Sequence, residues 1–174
     1  PWPRCIHGRT DVLCCQNGHA AVNNESMTRP QAQDRAAFAH FSTITTRWMD
    51  NDMYGHVNNM TCYSYFDTAA NTYLIDAGVL DIHAGQVIGL VIETHCNYFA
   101  PLSFPKPVEA GIRVAHIGKS SVRYEIGLFE AGEPLSAACG HFVHVYVDRE
   151  TRRPVPLPEA FVKALTLLQV HATN

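Results

Sequence analysis

The 174-residue chain has no apolar run approaching the length of a bilayer span, which argues against a transmembrane helix. It also lacks a Gly-x-Ser-x-Gly elbow, a dinucleotide fingerprint and a phosphate loop. Serine hydrolases and the common nucleotide-binding folds are therefore disfavoured. No charge of one sign dominates: the formal net charge is −3 with histidines neutral. That balance argues against an electrostatic partnership with nucleic acid or an anionic membrane, although it leaves room for a small basic pocket. C-x-x-C pairs are missing as well. The six cysteines, Cys5, Cys14, Cys15, Cys62, Cys96 and Cys139, read as reduced thiols of a cytoplasmic protein rather than a disulfide framework. Cys14, Cys15, His7 and His19 match no usual zinc-ligand spacing, and neither a metal nor another cofactor is expected.

What the chain does contain is one domain's worth of core. Its hydrophobic fraction of 47% is ordinary for a globular protein of this length. Residues 1–38 differ from the rest, with no sustained apolar period and much Asn, Gly, Arg and Gln. They lack the basic and apolar regions of a signal peptide and read as a loosely ordered extension. The segment from Met27 makes a natural start for compact structure, and residues 39–174 are expected to form a single domain.

Alternation over His40–Trp48 predicts a first strand. Cys62, Phe66, Ala69, Ala70, Tyr73 and Leu74, spaced by three and four, predict a long helix over 58–77, ended by Gly78 in a left-handed cap. Strands are predicted over 86–99, from Val108 through Val114, from Val122 through Leu128, and over 135–147. A short helix is predicted over 159–169. Short turns at 118–121 and 131–133 favour an antiparallel meander. One long helix among so many strands predicts an α+β fold in which a curled sheet of about five strands wraps the helix. Such a single sheet leaves an edge and a face in need of cover, which predicts a homodimer or homotetramer.

The turn between the first strand and the helix holds the densest chemistry: Asp50, Asp52, Gly55, His56, Asn58 and Asn59. A helix N-terminus offers unpaired N–H groups and a positive dipole end, which suit a carbonyl oxygen gaining negative charge. A carboxylate beside it can act as a nucleophile or general base. Each of these residues is also an ordinary turn or cap residue, and Asp50 is expected simply to hydrogen-bond the loop. His141 and His144 lie three apart on a strand, hence on opposite faces.

Asp50-x-Asp52-x-x-Gly55-His56-Val57-Asn58-Asn59-x-x-x-Tyr63, followed by Tyr65-Phe66-Asp67, resembles the signature of hotdog-fold acyl-CoA thioesterases of the 4-hydroxybenzoyl-CoA thioesterase type. The tail, Tyr146-Val147-Asp148 and then Arg152 to Pro158, is similar to a frequent ending of that family. The resemblance covers roughly residues 40–168. It implies hydrolysis of an acyl-CoA or acyl-carrier thioester at sites between subunits. It places the catalytic acid at Asp52 and the oxyanion donor at a main-chain N–H near Asn59, with His56 a further candidate. Plant acyl-carrier-protein thioesterases carry a related Asp-x-Asn-x-His motif, in which Tyr54 here replaces the Asn. Candidate substrate contacts are Gly55, Asn58 and Tyr63, with Lys119, Ser120 and Ser121 facing coenzyme A phosphates. Two rivals remain: a thioester dehydratase or hydratase on the same fold, and a non-catalytic acyl-CoA binding protein.

Deleting residues 1–26 is expected to leave a soluble domain with unchanged activity; insolubility or loss of turnover in the truncated protein would contradict this.

Overall fold

The computed structural model of the protein describes residues 29–170, so the expectation for residues 1–26 lies outside the described part. The first strand, β1 (His40–Ile44), is followed by a 3-10 turn at Trp48–Asp50 and the long helix α1 (Asn59–Asp76). Four strands come next: β2 (Val87–Tyr98), β3 (Val108–Ile117), β4 (Ser121–Glu130) and β5 (Ala138–Asp148). The helix α2 (Glu159–Thr166) follows. All neighbours in the five-stranded sheet are antiparallel, in the order β1-β3-β4-β5-β2. The expected α+β layout with one helix against one sheet is what forms.

Hydrophobic burial fixes this layout. Cys62, Tyr65, Phe66, Ala69, Ala70 and Leu74 of α1 are buried and meet Val108, Ala110, Ile112, Tyr124, Ile126, Leu128 and Phe142 from the inner face of the sheet. Spacings of three and four put the helical set on one face, while alternation puts the strand set on one side. Phe66 shows how closely the layers approach, because a Cβ on Gly140 would fall 2.6 Å from its ring and would overlap the carbonyl oxygen of His95. Gly140 is thus required by packing. His144 points into this core and is buried, where burial pushes its imidazole below the ordinary value. His141, on the outer face, bonds Glu93 at 2.7 Å, so the two histidines do lie on opposite sides.

Three details differ from the sequence reading or complete it. β1 ends at Ile44, short of Trp48, because the chain turns at Trp48–Asp50 to seat a carboxylate. β2, whose partner the turn signals left open, pairs with β5; residues 99–107 carry the chain across the end of the sheet and past the start of α1. The packed unit also begins before residue 39. Gln33 and Ser136 exchange hydrogen bonds of 2.9 Å through the two backbone N–H groups. Arg35 pairs with Glu109, and Phe38 packs on Phe129 and Cys139. The segment 33–38 is therefore a cover on the outer face of the sheet.

Candidate active site

Residues 50–58 form a small closed ladder between β1 and α1. The Asn58 N–H donates to the Asp50 carbonyl at 2.8 Å, and the Asp52 N–H to the His56 carbonyl at 2.8 Å. Val57 donates to the Leu102 carbonyl at 2.7 Å, tying the ladder to the segment after β2. Met53, Tyr54 and Gly55 make the tip. Gly55 has φ +81° and a Cβ there would touch nothing within 4 Å, so the glycine is required by backbone conformation and not by crowding.

Asp50 anchors the ladder. It is 1% exposed, and its Oδ1 accepts from Arg47 Nε at 3.0 Å and Nη2 at 2.8 Å. Its Oδ2 accepts from the Arg47 N–H and the Tyr65 hydroxyl, both at 2.7 Å. Burial works to raise the carboxyl, but the hydrogen bonds from Arg47 and Tyr65 win and hold it below the usual aspartate range. Burial and the bond to Asp50 push the Tyr65 hydroxyl well up. Asp50 therefore holds the loop, as expected.

Asp52 is placed differently. Its Oδ1 accepts from the Tyr54 N–H at 2.8 Å and, at longer range, from the His56 N–H at 3.4 Å. Its Oδ2 has no donor among the described residues. The side chain of Asn58 caps α1 by accepting from the Met60 N–H at 2.9 Å. The Asn59 N–H, at the first position of the helix, has no acceptor among the described residues. The Tyr98 hydroxyl donates to the Asn59 carbonyl at 3.2 Å, pinning the end of β2 to the helix start.

A cavity of about 530 Å³ opens here, lined by Asp52, His56, Val57, Asn59 and Cys62 on one side. Tyr98 to Leu102 and Ala138 line the other. The three candidate catalytic residues, Asp52, His56 and Asn59, thus share one chamber. The other candidates do not line it. Gly55 shapes the turn, Asn58 caps the helix, and Tyr63 stacks on Phe142 with ring centres 6.4 Å apart. Lys119, Ser120 and Ser121 lie at the far end of the sheet. Ser121 pairs with Val145 whereas Ala138 pairs with Leu128, and seven residues of strand span about 23 Å. They do not reach this chamber within the protomer. Tyr98 and the run 99–102 were missed in the sequence because only the strand pairing of β2 with β5 brings them to the helix start; Pro101 registered merely as a strand stop. Among the described residues, no group of three or more His, Cys, Asp or Glu is placed to hold a metal ion.

A family model described as the thioesterase-like superfamily matches residues 46–165, a span that includes the ladder, the helix and the sheet. The chain belongs to the thioesterase-like superfamily. The PA5185 protein from Pseudomonas aeruginosa strain PAO1 is 52% identical with a TM-score of 0.80, covering 82% of this chain and 100% of that one. A thioesterase from Thermus thermophilus, complexed with coenzyme A and Zn, is 32% identical with a TM-score of 0.63, covering 76% and 96%. The uncharacterized protein YsmA of Bacillus subtilis (strain 168) is 24% identical over 127 residues, covering 72% of this chain and 84% of YsmA. The fold of this superfamily member is the hotdog fold. The segment 29–45, which holds β1 and the cover on the outer face of the sheet, precedes the matched span.

Asp50→Asn and Tyr65→Phe test the anchor. Losing a hydrogen bond to a buried charge costs roughly 1.5–3 kcal/mol, so Tyr65→Phe should lower unfolding stability by about 2 kcal/mol in denaturant titrations. Because the folded carboxyl is depressed, its contribution is full above the unfolded value and fades as pH falls through the folded one. The stability gap between wild type and Asp50→Asn should therefore narrow progressively below about pH 4. A gap that widens on acidification would contradict the anchor.

Proposed function

We propose that this superfamily member hydrolyses an acyl-CoA thioester to the free acid and coenzyme A. The observation that carries the reading is the pairing, in one chamber, of an Asp52 carboxylate oxygen without a donor and an Asn59 N–H without an acceptor among the described residues. The first is an electron-pair donor for attack. The second is a hydrogen-bond donor for the oxygen that becomes negative. The superfamily membership and the likeness to a thioesterase complexed with coenzyme A support the same chemistry.

In the general-base route, Asp52 takes a proton from water while the water oxygen bonds the thioester carbon. The oxyanion rests on the Asn59 N–H. The C–S bond then breaks, and the thiolate recovers the proton held by Asp52. In the nucleophilic route, Asp52 Oδ2 bonds the carbon, the thiolate leaves and is protonated by water, and a second water attacks the Asp52 carboxyl carbon of the mixed anhydride, so that the bridging oxygen leaves with the acid. The two backbone bonds to Oδ1 orient the other oxygen equally well for both. His56, on the chamber wall, contacts substrate. Single turnover in labelled water separates the routes, since only the nucleophilic one places oxygen from Asp52 in the acid.

The functional unit is a homodimer or homotetramer. β2 is a sheet edge twelve residues long, and its Leu90, Val91 and Ile92 are exposed by 39%, 47% and 63%. Trp48, Met49, Met53, Tyr54 and Met60, in and beside the 50–58 ladder, are exposed. An open edge bordered by apolar side chains favours cover by a second copy.

Thiol release from short, long and aromatic acyl-CoAs should be detectable with wild type and fall at least about a hundredfold in Asp52→Asn, which keeps shape and removes charge. Full turnover in Asp52→Asn, or an enoyl absorbance change without thiol release, would overturn the reading.

A further inference from the structure

Two grooves share wall residues with the active-site chamber, and their charges differ. The first is a cavity of about 390 Å³ between the N-terminal segment Arg29–Ala32 and Asn97, Tyr98 and Phe99 at the end of β2. It adjoins the chamber through Tyr98 and Phe99, which line both. The second, also about 390 Å³, shares Phe99 to Pro101 with the chamber and ends among Glu130, Glu133 and Leu135. Glu130 is paired with Lys106, while Glu133 is exposed and in no ion pair among the described residues. A substrate whose far end is anionic is repelled from the second groove and attracted to the first, where Arg29 supplies a guanidinium.

The lining of the first groove fits an arm made of amides better than a hydrocarbon tail. Asn97 and Gln31 bring side-chain amides, set against Pro30, Ala32 and the rings of Tyr98 and Phe99. The Gln31 Nε2 donates to the Arg29 carbonyl at 3.0 Å, which braces the backbone of Arg29 and leaves Gln31 Oε1 to accept from an amide N–H. The segment itself is fixed just downstream by the Gln33–Ser136 exchange and the Arg35 N–H bond to the Pro134 carbonyl at 3.2 Å. Residues 29–32 precede the span matched by the family model.

We propose that the groove between Arg29–Ala32 and the end of β2 receives the phosphopantetheine arm of the substrate, with Arg29 pairing with its phosphate. The inference rests on the reading of the substrate as a thioester of that arm. Coenzyme A and acyl-carrier proteins both carry the same phosphate, so the contact is defined by the arm and not by what lies beyond it. Arg29 replaces the Lys119–Ser121 turn as the phosphate contact within the protomer.

Calorimetric titration of the full chain with 4′-phosphopantetheine, pantetheine and coenzyme A tests the groove without relying on turnover. Wild type should bind 4′-phosphopantetheine at least about fivefold tighter than pantetheine, as expected for a charge-assisted contact at a solvated site. Arg29→Ala should abolish that difference and leave pantetheine affinity unchanged, and Arg29→Glu should reverse it. Coenzyme A and 4′-phosphopantetheine should lose the same factor; loss confined to coenzyme A would assign Arg29 to the nucleotide and overturn the proposal. So would unchanged phosphate affinity in Arg29→Ala, or tightening in Glu133→Gln, which would put the phosphate in the other groove. Thiol release is scored separately: Arg29-dependent binding without any thiol release keeps the groove and refutes the hydrolase.

Discussion

The buried Asp50 carboxylate is the constraint on which the site is built. Four hydrogen bonds converge on its two oxygens, from the guanidinium and N–H of Arg47 and from Tyr65. Arg47 precedes the ladder, Tyr65 lies on the second turn of α1, and Asp50 itself receives the Asn58 N–H on its carbonyl. One residue thereby fixes the distance between the end of β1 and the beginning of the helix. An ion in so dry a place is stable only while every lone pair is satisfied, so the loop has little freedom to rearrange. That rigidity lets a neighbouring carboxylate, two residues on, remain half-open and available.

The second acid differs from the first by what it lacks. Asp50 has its acceptor capacity filled from side chains and backbone; Asp52 has one oxygen bound by local N–H groups and one without a donor among the described residues. The helix start shows the same division of labour, because the Asn58 side chain satisfies Met60 and leaves the Asn59 N–H pointing from the first helical position. Tyr98 holds this arrangement from across the chamber. Preorganised donors of this kind stabilise developing charge without reorganising during the reaction.

Much of this was legible in the sequence because it is local. The helical stripe, the Gly78 cap with φ +69°, the hairpin turns and the crowding of polar residues at 50–59 all follow from spacing and turn chemistry. The shared chamber of Asp52, His56 and Asn59 follows too, since they belong to one turn. What spacing could not reveal is what the sheet order brings in. Tyr65, on the same helical face as Cys62 and Ala69, registered neither as core nor as the partner of Asp50. Phe38 and Gln33 were read as part of an extension because an isolated polar stretch carries no period, yet they pack on a sheet formed about a hundred residues later. The Lys119–Ser121 turn has the right chemistry for phosphate but lies at the far end of the sheet from the chamber within the protomer, a separation set by strand direction and invisible to composition.

The most direct test concerns the Asn59 N–H. Proline is tolerated at the first helical position, where no intrahelical bond is lost, and Asn58 already has the extended ψ of 140° that suits a residue before proline. Both Asn59→Pro and Asn59→Ala remove the side chain, whose Oδ1 accepts from the Met60 N–H at 2.9 Å, and only Asn59→Pro also removes the main-chain donor. Thiol release by Asn59→Pro should fall about a hundredfold to a thousandfold, with unfolding midpoint and coenzyme A affinity close to wild type, while Asn59→Ala retains most activity. Equal turnover in the two variants would contradict the account.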